Sequence, residues 1–132
     1  MDIATISLVL QLLVFALLLF GYYRFKAGDL IGHSRVLASA TVIHLGAIIL
    51  RMIPAFSSDP QFIAITLDPL SLTHWGHVAL GLIAPALGVY ISLRWILHGS
   101  DPRFCRGKLL MRVTLVAWLI SLLLGIVMYF LT

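Results

Sequence analysis

The sequence predicts an all-α membrane protein: an antiparallel bundle of four transmembrane helices forming a single domain over residues 1–132. Three observations predict it. Of the 132 residues, 61% are hydrophobic and only 11% charged, whereas a soluble domain carries roughly 25% charged residues. So few charges cannot cover a water-facing surface. The apolar residues fall into four long runs, and the basic residues collect beside alternate connections.

The first run, Ile3 to Tyr23, contains no charge, and Gln11 is its most polar member. The second is charge-free from Val36 to Leu50 and resumes after Arg51 as far as Phe56. The third, Pro69 to Leu93, is charge-free but holds two histidines, and the fourth runs from Val113 to Thr132. A spanning helix needs about 20 mostly apolar residues, and lipid offers the backbone no hydrogen-bond partners, so helix is the only conformation that suits runs of this length. The expected spans are about 3–23, 36–56, 73–96 and 111–131. Together they occupy nearly the whole chain and leave no room for a second, soluble domain.

Loop one, about Arg24 to Arg35, has Gly28-Asp29 as its turn signal. Loop two, about Ser57 to Leu72, carries Asp59-Pro60 and Asp68-Pro69, with Gln61 to Leu67 apolar enough to lie along a membrane surface. Loop three turns at Gly99-Ser100-Asp101-Pro102. Such connections place consecutive helices side by side. Pro85 in helix three and Pro54 near the end of helix two are expected to bend their helices.

Eight of the nine basic residues (Arg24, Lys26, Arg35, Arg94, Arg103, Arg106, Lys108 and Arg112) flank loops one and three, and only Arg51 lies near loop two. That bias places loops one and three in the cytoplasm and both termini outside, in a multi-pass cell-membrane protein. Asp2 stands where a cleaved signal peptide would carry basic residues, so the first span is expected to remain as a helix. The net charge of +4 arises in the loops and suits anionic lipid. It gives no reason to expect nucleic acid as a partner. Cys105 is the sole cysteine, which excludes an intrachain disulfide, and it lies beside Arg106 and Lys108 in a loop where a thiol stays reduced.

Ionisable groups within a membrane need a partner or a function. On helix two, His33, Ala40, His44, Ala47 and Arg51 share one face, with His44 near mid-span. This face is expected to point inward, with Val42, Ile49 and Ile53 elsewhere on the helix. On helix three, His74, His77, Gly81, Ala84 and Gly88 share a face, whose small residues would let another helix or a flat macrocycle approach. Helix four adds Thr114, Trp118, Ser121 and Gly125, with Tyr129 beyond, and helix one offers Ser7 and Gln11. Neutral imidazole is the commonest nitrogen ligand of haem iron, copper and zinc, so His77, His74, His44 and His33 are the candidate metal or haem ligands. Arg51, Trp118 and Ser121 are candidate intramembrane polar partners, and His98 and Cys105 are weaker candidates. The bland readings stand beside these: solvated histidines at helix ends, a hydrogen-bonded His44, and glycine stripes that serve helix packing.

Depth limits the pairings. His33 and His98 lie at the cytoplasmic level, His74 and His77 at the outer level with Arg51. Pairing His44 with His77 on one haem would need an offset of about two turns. The two outer histidines with Asp68 could instead hold copper or zinc. No nucleophile constellation, paired carboxylates or phosphate-binding glycine loop is present, which argues against an enzyme.

The chain resembles the four-helix membrane proteins catalogued as domain of unknown function 420. In the last span, Arg112, Trp118, Ser121, Gly125 and Tyr129 match that family's pattern; Arg51, His33 and His77, the last followed by Val78, Ala79 and Leu80, match positions in and before helices two and three. Similar proteins usually carry a third His before helix four, a position that is Gly107 here, with Cys105 two residues away. The resemblance implies a setting beside haem–copper terminal oxidases, with one branch implicated in oxidase maturation. Three functions are therefore in view. The first is a non-enzymatic accessory of a respiratory oxidase that assists assembly or handles haem or copper. The second is an electron-transfer subunit holding a b-type haem. The third is a structural small subunit of a larger membrane complex.

Overall fold

The structure, a computed structural model, describes residues 2–58, 64, 66–98 and 108–131. It is built from α1 (Ile3–Lys26), α2 (Leu30–Ala47), a π-helical turn (Ile48–Met52), α3 (Ile53–Ser58), α4 (Pro69–His98) and α5 (Lys108–Leu131). Four helical stretches, Ile3–Lys26, Leu30–Ser58, Pro69–His98 and Lys108–Leu131, are long and apolar enough to cross a membrane. No strand occurs among the described residues.

Local chemistry sets the helix ends. Asp2 caps α1 by accepting the Thr5 backbone N–H at 2.7 Å. Hydrogen bonds from Thr5, side chain first and backbone second, hold the Asp2 carboxyl below its usual range, and the Arg51 charge adds a smaller share. Arg24 and Lys26 occupy the last turn of α1, where cations complement the helix dipole. The helix then stops in a Schellman motif: Gly28 adopts φ 80°, its N–H reaches the Phe25 carbonyl, and the Asp29 N–H reaches that of Arg24, both at 3.0 Å. Asp29 in turn caps α2 through the Gly32 N–H at 2.9 Å and pairs with Arg24. The connection is therefore only Ala27 to Asp29, shorter than the expected Arg24 to Arg35, and His33 lies inside the first turn of α2.

Two further boundaries differ from expectation for similar reasons. Asp68 accepts the Ser71 N–H at 3.0 Å, and Pro69 occupies the first helical position, so Asp68-Pro69 starts α4 rather than sitting in a loop. Hydrogen bonds from Thr66 and the Ser71 backbone hold the Asp68 carboxyl below its usual range. At the end of α2, Pro54 lacks an N–H and would clash with the carbonyl four residues back. The backbone opens into a π turn just before it, the Ile53 N–H bonding the Ile48 carbonyl, and the helix continues to Ser58. Asp59-Pro60, most of Gln61 to Leu67 and the whole Gly99 to Gly107 segment, with Cys105, lie outside the described residues.

Val14, Leu18, Ala40, Ala84, Trp118 and Leu122 form the buried core. Large apolar side chains point outward in quantity, Leu50 being 75% and Phe130 76% exposed. Water would penalise such a surface, and acyl chains would not. Where helices meet, small residues set the approach. A Cβ on Gly88 would lie 2.9 Å from Thr41 Oγ1 and 3.1 Å from Trp118 Cζ3, and one on Gly81 would lie 3.2 Å from Ser121 Oγ. The glycine stripe of α4 is thus filled by side chains of α2 and α5, which is packing rather than clearance for a macrocycle.

Candidate functional site

Among the described residues, cavities open between the helices at both ends. At the end where Thr5 of α1 meets Tyr129 of α5, a cavity of about 320 Å³ gathers His44, Arg51, His74 and His77 together with Ser7 and Gln11. Three of the four candidate histidine ligands therefore converge on one space with Arg51. The cavity runs along α1 from Ala4 to Val14, roughly 15 Å at 1.5 Å per residue. That length accommodates the two-turn offset expected between His44 and His77, so the offset does not separate them. Arg51 and Met52 reach the cavity from the π turn, a local widening found frequently at functional sites.

His44 faces inward, as its helical stripe predicts: it is 7% exposed, while Val42, Ile49 and Ile53 are 69%, 61% and 59% exposed. Trp118 Nε1 donates to His44 Nδ1 at 3.1 Å, and the rings meet edge to face. Indole N–H is only a donor, so Nδ1 must carry the lone pair. The neutral ring then holds its proton on Nε2, where it can donate a hydrogen bond or pass a proton but has no lone pair for a metal.

His77 has the opposite tautomer. Its Nδ1 lies 2.7 Å from the Ser121 carbonyl oxygen, which can only accept, so Nδ1 is protonated and Nε2 carries the lone pair. Ser121 Oγ–H returns a bond to the His77 carbonyl at 3.1 Å. An imidazole held by Nδ1–H on a backbone carbonyl, with Nε2 free to coordinate, is the arrangement that orients metal-binding histidines. Gly125 makes room for it: a Cβ there would lie 2.8 Å from His77 Cε1 and 2.5 Å from Gln11 Oε1. His74, one turn before His77, packs against Phe56 and Trp75.

His33 lies in the second cavity, of about 170 Å³, with Trp118, Lys108 and Arg112. Its Nδ1 donates to the Gly21 carbonyl at 2.7 Å. His98 is exposed and directs Nδ1 to the Arg94 carbonyl of its own helix at 3.2 Å. The structure does not bring His33 and His98 together in either cavity.

Among the described residues, no group of three or more His, Cys, Asp or Glu side chains assembles as a metal cage. The larger cavity, however, is also lined by the thioethers of Met52 and Met128. Thioether and imidazole together suit Cu(I). Sequence reading passed over both methionines, because a Met at helical spacing reads as core filler. It also missed Gly125 as the notch for His77, although the glycine itself lay on the polar face of the last helix. No family model, curated protein or solved structure matches the chain.

Proposed function

We propose that this chain is a non-enzymatic membrane accessory of a respiratory haem–copper oxidase, and that it handles copper. The observation that carries the reading is the His77–Ser121 pair, which leaves an oriented Nε2 lone pair beside a cavity that also holds His74, Met52 and Met128. Those side chains would hold the ion when bound, and a soft donor set of this kind favours the cuprous state. Arg51 and Gln11 at the same cavity are polar partners rather than ligands. The resemblance to the domain of unknown function 420 proteins supplies the oxidase setting, and the larger oxidase complex is the partner it implies.

The contacts support an up-down-up-down arrangement. Thr5 meets Tyr129, His33 meets Gly21 and His77 meets Ser121, pairings that suit antiparallel neighbours. With the eight-to-one bias of Lys and Arg, the copper cavity opens toward the outer compartment and the smaller cavity toward the cytoplasm.

The b-haem alternative has less support. A bis-histidine haem needs two imidazole lone pairs on facing helices, yet His44 Nδ1 is committed to Trp118, and His33 and His77 line different cavities. An optical spectrum and a Cu(I) titration of the purified protein decide between the readings. Stoichiometric Cu(I) binding without a Soret band is expected. A Soret band with a sharp reduced α band would move the assignment to electron transfer, and binding of neither would leave a structural subunit.

A further inference from the structure

We propose that the smaller cavity binds an anionic, hydroxyl-bearing phospholipid of the phosphatidylglycerol type, its phosphate on Lys108 and Arg112, its headgroup hydroxyl on His33, and an acyl chain along the cavity. The inference is independent of the copper reading, since none of these residues lines the larger cavity.

The rim supplies the charge complementarity. Lys108 and Arg112 are four residues apart on α5, so they lie on one face. Both line the cavity and are exposed, and neither makes an ion pair among the described residues. A phosphate satisfies two neighbouring cations at once, the guanidinium bidentately.

His33 supplies the second recognition element. Its Nδ1–H is spent on the Gly21 carbonyl, which leaves Nε2 an acceptor. That Nε2 is buried and has no hydrogen-bond partner among the described residues. A buried acceptor without a partner is costly, and a ligand hydroxyl is the donor it requires. A zwitterionic choline headgroup offers no such donor and no net charge.

The depth fits a chain from one leaflet. From the rim at Lys108 to the floor at Trp118 is ten residues of α5, roughly 15 Å along the axis, or about half the ~30 Å hydrocarbon core. The donors deep in the cavity are already engaged: the Thr41 hydroxyl donates to the Leu37 carbonyl and the Thr114 hydroxyl to the Leu110 carbonyl, both at 2.8 Å, and Trp118 Nε1 points away to His44.

Tryptophan fluorescence reads this site directly. Of the three tryptophans, Trp95 and Trp118 line the cavity and Trp75 does not, so a Trp75→Phe variant in bilayers reports on it alone. Acyl-brominated phosphatidylglycerol should quench at a mole fraction on the order of tenfold lower than acyl-brominated phosphatidylcholine, from two basic contacts near the surface. Joint Lys108→Gln and Arg112→Gln substitution should abolish that preference. His33→Phe should erase the advantage of phosphatidylglycerol over brominated phosphatidic acid while both still exceed phosphatidylcholine. Equal quenching by phosphatidylglycerol and phosphatidylcholine would overturn the proposal, and equal quenching by phosphatidylglycerol and phosphatidic acid in the protein that retains His33, or a phosphatidylglycerol advantage that survives His33→Phe, would overturn the role of His33. Native mass spectrometry of the unaltered chain, released from micelles holding both lipids equally, tests the same point without substitutions. Retained phosphatidylglycerol is expected, and adducts in proportion to supply would count against the site.

Discussion

The indole N–H of Trp118 on α5 donates to Nδ1 of His44 on α2 at 3.1 Å, and this bond fixes which nitrogen of a buried histidine carries the proton. It ties together two helices at the boundary between the two cavities, since Trp118 lines one and His44 the other. Trp118→Phe keeps most of the packing volume and removes the donor. The expected result is a coupling of about 0.6 kcal/mol in a double-mutant cycle with His44→Leu, the average for interhelical hydrogen bonds in bilayers, whose upper limit is about 1.7 kcal/mol. Unfolding in mixed micelles measures it, and strictly additive losses would show that the bond contributes nothing.

Glycine substitutions separate a required notch from an indifferent one. A Cβ at Gly125 would come within 2.8 Å of His77 Cε1, whereas one at Gly46 would meet nothing within 4 Å. Gly125→Ala should displace the His77 ring and weaken Cu(I) binding on the order of 10–100-fold, as loss of ligand positioning does. Gly46→Ala should leave binding intact and stabilise the helix by up to roughly 1 kcal/mol. Equal effects of the two substitutions on Cu(I) affinity would refute the notch.

The parts of this molecule legible in the sequence are those set by composition and by helical period. Apolar runs announced four helices long and apolar enough to cross a membrane, and the helical stripe through His44 announced that this residue faces inward. Three things were not legible. The span limits depended on caps such as Asp29 and Asp68, whose short-range bonds override the charge pattern that sets a hydropathy boundary. The tautomers of His44 and His77 depended on partners 74 and 44 residues away in sequence. The joining of His74 and His77 to Met52 and Met128 depended on helix packing and on a π turn that periodicity assumes away.

Topology has its own test. The basic residues flanking the first and third connections predict both termini in the outer compartment. A phosphatase-type reporter fused after Leu131 should be active there, and a fluorescent reporter that folds only in the cytoplasm should stay dark. The reverse pattern would place the cavity proposed to bind copper on the cytoplasmic side.

The comparison that bears most on function is His77→Ala against His98→Ala, with membrane abundance matched. Both residues belong to α4, but their surroundings differ. The His77 imidazole is anchored by the Ser121 carbonyl, seated against Gly125 and directed to a cavity shared with His74, Met52 and Met128. His98 is exposed at the helix end and turns Nδ1 to a carbonyl of its own helix. Removing an oriented imidazole should weaken Cu(I) affinity by at least the 10–100-fold that follows loss of a ligand's orienting partner. Removing the exposed one should leave affinity and fold within the scatter of surface substitutions, about 0.5 kcal/mol. Met52→Leu, which keeps side-chain volume and removes only sulfur, should fall between them and so separates a lost ligand from a lost fold. Bound copper and oxidase activity in the host are the two readouts. Should His98→Ala abolish both while His77→Ala spares them, the copper site would have to be sought at the opposite end of the bundle, around His33 and His98.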